Sequence, residues 1–307
     1  MQRVLTTVTL LGLLVATAAA FVITEHLKLK KSPLYGTFVS KYVSPVCKCP
    51  NRVATVRIRL RHAERVTVTI VNSTGQTVDT LVSDQLVSAR SKHHWPWDGR
   101  TADGTRAPDG SYYPWVTLGR HTFRLPNRIL LDTKPPQVLS VSAPKHVLLA
   151  ARGRTASIGY SFSEKAHALV YLGSDQIIRG RKTRQDSKIK WGGTADHRPL
   201  PAGRYVLSIG AQDIVGNSTP PADRKTVTVV VRYVELAPGR IAVRGGHGFR
   251  VHVTTAARHY AWRLGHRHGV RHGKVLHLRA PTTPGTYRLV VTVNGQSTTA
   301  TVAVHGR

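Results

Sequence analysis

The 307-residue sequence predicts an all-β chain of three tandem β-sandwiches behind one N-terminal transmembrane helix. Three observations predict it. Val4 to Ile23 is a run of twenty residues without a charge, long enough to span the hydrocarbon of a bilayer. Beyond it, short runs alternate apolar and polar residues between Gly, Pro, Asn and Asp clusters, and no convincing helical period appears, which is the signature of half-buried strands. A Gly-x-Tyr unit then comes three times, at Gly110-Ser111-Tyr112, Gly203-Arg204-Tyr205 and Gly285-Thr286-Tyr287, with successive tyrosines 93 and 82 residues apart. That period is near the ~100 residues of one sandwich domain. The expected segments are 1–24 as signal anchor or signal peptide, 25–51 as a stalk, and 52–132, 133–231 and 232–307 as the three sandwiches.

At the N-terminus, Met1-Gln2-Arg3 precedes the apolar run. The run exceeds the ~7–15 residues of a signal-peptide core, which favours an uncleaved anchor. The small residues around Ala16-Thr17-Ala18 and Ala18 to Ala20 also offer cleavage sites, which would release a secreted protein. Arg3 on one side and Lys28, Lys30 and Lys31 on the other leave the orientation open. A three-residue head with the bulk translocated is the simpler arrangement, placing residues after about 24 outside the cytoplasm.

The stalk holds the chain's two cysteines in Cys47-Lys48-Cys49, between Pro45 and Pro50. In an oxidising compartment two cysteines normally pair. Cysteines two apart lie near the upper limit of bridgeable Cα distance, ~6.8 Å, so a clip within the chain and a bond between two copies are both open. A metal site would need ligands that this motif lacks.

The first sandwich opens with Val56, Ile58 and Leu60 directed inward and Arg57, Arg59 and Arg61 outward, expected as a solvated strand face. It is organised around WPWDGRTADGTRAPDGSYY at 95–113, with Asp98-Gly99, Asp103-Gly104 and Asp109-Gly110 between Trp97 and Tyr112. Asp bonds its own backbone and Gly tolerates positive φ, so each pair marks a turn. A related pattern follows at Trp191, Gly193, Gly203 and Tyr205, and a third, without the Trp, at Gly273, Gly285 and Tyr287. After each Tyr the same phase is apolar: Val116 and Leu118, Leu207 and Ile209, Leu289 and Val291. A tyrosine at this position matches the tyrosine corner of immunoglobulin-like sandwiches, whose hydroxyl bonds back to nearby backbone.

The run of Trp97, Asp98, Gly99, Asp109, Gly110 and Tyr112 resembles the immunoglobulin-like domain of the FlgD/Vpr type. The second copy is similar to it, ending in Ala211, Asp213, Gly216 and Asn217, whereas the third resembles a generic bacterial Ig-like repeat. The resemblance covers about two thirds of the chain and implies tandem Ig-like modules, membrane-anchored or secreted. It implies a fold and no activity, and no hook-assembly role is carried over.

Charge points to partners. The chain has 45 Lys and Arg against 15 Asp and Glu, a net charge of +30. The excess is +5 over 51–132, +9 over 133–231 and +11 over 232–307, where Glu235 is the only acid. Such a field attracts polyanions, and the expected partners are anionic envelope polymers, lipid head groups or a protein partner. The polyanion-contact candidates are Arg179, Arg181, Lys182 and Arg184, in the densest basic loop, and Arg263, Arg267 and Arg271. Nucleic acid has the charge but no recognition motif and few aromatics among the basic residues, so it is not expected as a partner. The three turn aspartates lack calcium-loop spacing. His266, His268 and His272 are surrounded by arginines with no carboxylate to orient them as zinc ligands. No G-x-S-x-G, H-E-x-x-H, P-loop or dinucleotide fingerprint is present. The expectation is a protein that is not an enzyme and takes no cofactor. It would be a cationic spacer or adhesion module, or an assembly module docking a partner through its sheet edges.

Overall fold

A computed structural model describes residues 2–29, 32–148 and 155–306 of the chain. After the helix α1 (Gln2–Leu29), every long element is a strand. Two compact units result: Met1–Val46 with Pro50–Thr133, and Cys47–Cys49 with Lys134–Arg307.

The described side chains of α1, Thr7 to Val22, are all exposed, including the apolar Val8, Leu11, Leu14 and Phe21. The Thr17 hydroxyl donates to the Leu13 carbonyl at 2.7 Å, so it needs no outside partner. The transmembrane helix expected from the sequence is not what the described residues supply. Among them, no helix is long and apolar enough to cross a membrane.

In the first unit, one sheet runs β1 (Leu34–Val39), β3 (Ala54–Leu60), β6 (His93–Trp97). The other runs β2 (Tyr42–Val43), β9 (Ile129–Leu131), β7 (Gly110–Leu118), β4 (Glu64–Val71), β5 (Thr77–Val87), with β8 (His121–Arg124) added to β7. Strict alternation decides the faces. Ala54, Val56, Ile58 and Leu60 of β3 join Val66, Val68 and Ile70 of β4, Val116 and Leu118 of β7, and Trp97 in one core. Each side chain so buried contributes about 1.5–3 kcal/mol.

The stalk expected over 25–51 is corrected here. Leu34–Val39 pairs antiparallel with β3, and Tyr42–Val43 pairs parallel with β9. Leu34, Val39 and Val43 are buried. A register shift between Tyr35 and Phe38 breaks the alternation, so the strand has no readable period. The arginine row of β3 is not simply solvated either. The Arg57 guanidinium lies 4.9 Å from the Phe38 ring and that of Arg61 5.1 Å from Tyr35, which covers the aromatic faces of β1.

The second unit begins with β10 (Val138–Ser142) and β11 (His146–Leu148) and a 17-residue strand, β12 (Ala156–Leu172). The first half of β12 pairs with β10 and with β14 (Arg184–Trp191), its second half with β13 (Asp175–Arg179) and β17 (Gly203–Gln212). One strand thus serves both sheets. A short pair, β15 (Thr194–Ala195) and β16 (Arg198–Pro199), stands apart, and β18 (Lys225–Arg232) joins β17 to β11.

The remaining strands form two more sheets. One is β19 (Val234–Ala237), β21 (Gly248–Thr255), β24 (Val275–Arg279). The other is β20 (Arg240–Arg244), β26 (Gln296–His305), β25 (Gly285–Val293), β22 (His259–Leu264), β23 (Arg267–His272). A single hydrophobic cluster runs through this unit from Val138 to Val304, by way of Tyr233 and Val234. Tyr233 ties the parts together: its hydroxyl donates to the Leu200 carbonyl and its own carbonyl accepts from Thr255 Oγ1, both at 2.9 Å.

Candidate polyanion-binding surface

The three tyrosines make the same contact. Tyr112 Oη donates to the Pro108 carbonyl at 2.5 Å, Tyr205 Oη to Pro201 at 2.9 Å and Tyr287 Oη to Thr283 at 3.0 Å, four residues back each time. Tyr112 is buried and the other two half-buried. Burial, and after it the Asp109 charge, pushes the Tyr112 phenol up from its ordinary value. The tryptophans are equivalent as well. Trp97 Nε1 donates to the Arg100 carbonyl at 2.8 Å and Trp191 Nε1 to Thr194 at 3.0 Å, three residues on. Gly99 and Gly193, each two residues after its Trp, both have positive φ. These groups saturate one another and hold turns, which leaves them no capacity for a ligand.

The aspartates of the same turns are also occupied by backbone. Asp98 Oδ1 accepts from Arg100 N at 3.1 Å, and Asp109 Oδ1 from both N and Oγ1 of Thr133 at 3.0 Å. Asp103 accepts from the Thr101 hydroxyl and from N and Oγ1 of Thr105. The Thr101 hydroxyl chiefly, then Thr105, holds its carboxyl down to about 2. Cys47 and Cys49 form a disulfide with Cα atoms 5.2 Å apart. Cys49 lies against Val215 and Gly216, and a Cβ on Gly216 would fall 2.5 Å from its Sγ.

The basic segment expected as a loop is mostly strand. Arg179 ends β13 and Arg184 begins β14, so Arg181 and Lys182 alone lie in the connection. It stays close to β12 through Gly180, whose N donates to the Ala168 carbonyl at 2.7 Å and whose carbonyl meets His167 Nδ1 at 2.8 Å. The Arg179 guanidinium donates to Gln212 Oε1 at 2.8 Å. All four basic side chains are exposed, and Asp186 two residues along β14 is the nearest acid in sequence.

Arg263, Arg267 and Arg271 do not form one row. Residues directly opposite on neighbouring strands share a face. Arg263 pairs with His268, on the outer face with His259 and His272. Arg267 pairs with buried Leu264 and Arg271 with buried Tyr260, on the other face at the free edge of β23. The histidines separate similarly. His266 is in the turn, and His268 and His272 stand four residues, about 14 Å, apart along one strand. That is too far to share an ion whose ligands sit about 2.0–2.1 Å from it.

From that edge Arg267 reaches the other sheet, donating to the Arg279 carbonyl at 2.9 Å. An open pocket of about 740 Å³ results, lined by Arg250, Arg267, Arg279 and His277 with Phe249 and Leu278. Arg250 and His277 are directly opposite one another and Gly248 is opposite Arg279, so the cations share the outward face of β21 and β24. Arg250, His277 and Arg279 were not singled out from sequence. Arg250 lies 27 residues from His277 in sequence, and only the pairing of β21 with β24 unites them.

Glu235 does not neutralise this site. It sits opposite Thr254, four residues or about 14 Å along β21 from Arg250. There Arg232 donates to it at 2.9 Å, with His146 at 3.8 Å.

No curated protein matches the sequence. Among solved structures, the I67–I69 fragment from the I-band of titin is similar over 90% of this chain and 99% of its own, with 11% identity and a TM-score of 0.32. A C-terminal 282-residue fragment of intimin, in complex with the intimin-binding domain of its translocated receptor, is similar over 69% of each chain, with 7% identity and a TM-score of 0.34. Invasin, a bacterial integrin-binding protein, is similar over 89% of this chain and 60% of its own, with 9% identity and a TM-score of 0.24. The family model that matches is that of the FlgD Ig-like domain, over residues 52–120. Those residues contain Trp97, the Asp-Gly turns and Tyr112, so the match falls on the turn and tyrosine pattern of the first unit.

Proposed function

We propose that this chain is a non-enzymatic, extracytoplasmic protein of the cell envelope. Its three Ig-like sandwiches, 52–132, 133–231 and 232–307, would act as a cationic spacer and adhesion module for anionic envelope polymers. One observation carries this reading. The last sandwich bears twelve basic residues and one acid, Glu235, and that acid is taken up by Arg232 at its margin. Every other cation there faces solvent or a polyanion without an acid of its own module to neutralise it, and such a field concentrates counter-ions of opposite charge. Outside the cytoplasm the Cys47–Cys49 disulfide persists.

Retention of the full chain on a polyanionic matrix tests it. Reversing Arg179, Arg181, Lys182, Arg184, Arg263, Arg267 and Arg271 to Glu removes two charges at each of seven sites, taking the net charge from +30 to +16. Retention should collapse at ~0.15 M salt, where the Debye length is ~8 Å. Unchanged retention would exclude electrostatic adhesion. Fractionation of host cells checks the compartment: a species cut by external protease is expected, and protection from external protease would overturn an extracytoplasmic location.

A second reading, docking of a partner protein, is favoured by the cleft beside Tyr233. Its volume is about 330 Å³, lined by β19 and by Gln296 to Thr299 of β26. β19 is an edge strand, and β20 covers β26 only from Thr301 onward. The two free backbone edges suit strand addition by an extended segment.

A further inference from the structure

We infer that the pocket between Phe249, Arg250, Arg267, His277, Leu278 and Arg279 is a binding site for the phosphodiester groups of an acidic polyol-phosphate chain. The inference rests on the adhesion reading above and identifies what that surface holds.

The donors come from three directions. Arg250 and His277 lie side by side across β21 and β24, Arg279 stands two residues further along the same face, and Arg267 enters from the edge of the opposite sheet. Arg267 is fixed there by its bond to the Arg279 carbonyl, which leaves the rest of its guanidinium facing the pocket. Guanidinium forks match phosphate oxygens in pairs. Donors converging from several sides suit a tetrahedral anion better than a planar carboxylate, which one fork satisfies. Cation spacing along the face favours a chain over a single head group. Residues two apart on β24, His277 and Arg279, repeat at about 6.8 Å, so successive phosphates along an extended chain meet successive cations. The pocket is open, so a polymer enters without an end. No acid in this module faces it, since Glu235 is held by Arg232.

The test keeps charge constant and removes the forks. Arg250→Lys and Arg279→Lys together leave the net charge at +30 and change only exposed side chains. Binding of synthetic poly(glycerol phosphate) to the full chain and to this double variant is measured by isothermal titration calorimetry at fixed salt, with Arg181→Glu/Lys182→Glu as the comparison. A loss of about tenfold or more in the Lys variant, with unchanged circular dichroism, supports the site. Equal binding by the Lys variant and the parent, with a loss in the charge reversal, would overturn the pocket and leave diffuse adhesion standing. No binding of the polymer by the parent chain would overturn both. Vesicles containing phosphatidylglycerol are the second arm. Capture of vesicles without capture of the polymer would overturn the assignment to a polymer and place the phosphate on a lipid.

Discussion

Gly99 offers the sharpest test of the packing. It follows Asp98 just after β6, with φ of +79°. A Cβ there would come within 2.5 Å of Leu131 Cδ1, and Leu131 is fully buried. Gly104, five residues on, has the same backbone, φ +80°, but nothing lies within 4 Å of its would-be Cβ. A left-handed conformation costs an L residue about 1–2 kcal/mol at either site. Only Gly99→Ala adds forced overpacking, about 1–3 kcal/mol. Gly104→Ala should therefore destabilise the first unit by about 1–2 kcal/mol and Gly99→Ala by about 2–5. At about 4 °C per kcal/mol for a unit of this size, the calorimetric transition should fall by roughly 4–8 °C and 8–20 °C. Equal shifts would refute the claim that Gly99 is required by Leu131 and not by the turn alone.

Two further predictions concern the same region. Asp103 has a depressed carboxyl, about 2 against 3.8, so its contribution is fully present above the unfolded value and is lost as pH falls through about 2. Carbon-13 NMR should place its titration midpoint near 2, and Asp103→Asn should weaken the acid dependence of the first unit's stability between about pH 4 and 2. A midpoint near 4 would exclude the threonine bonds in solution. The tyrosine hydroxyls should differ by burial. Tyr112→Phe removes a bond made by a buried phenol and should cost about 1.5 kcal/mol in urea unfolding. Tyr287→Phe, half-exposed, lets water replace the bond and should cost about 0.5 kcal/mol. Equal costs would show that burial does not set the difference.

Much of what could be read from sequence is short-range. Alternation in β3 and after each Gly-x-Tyr decides which side chains face a core, because the strand period is two. The tyrosine and tryptophan bonds close over four and three residues, so a local pattern contains both partners. Where a register shift interrupts alternation, as between Tyr35 and Phe38, the strand is invisible and the segment reads as a stalk.

The sequence by itself determined the all-β character, the turn glycines and the charge excess of the last sandwich, since each depends on composition or on neighbours within a few residues. Only the tertiary structure decided which cations stand together. A period of two assigns a residue to a face but does not name the strand across from it. Arg263 is thereby parted from Arg267 and Arg271 by the register of β22 with β23. Arg250, His277 and Arg279 meet Arg267 because β21 pairs with β24 and the edge of the facing sheet lies against them.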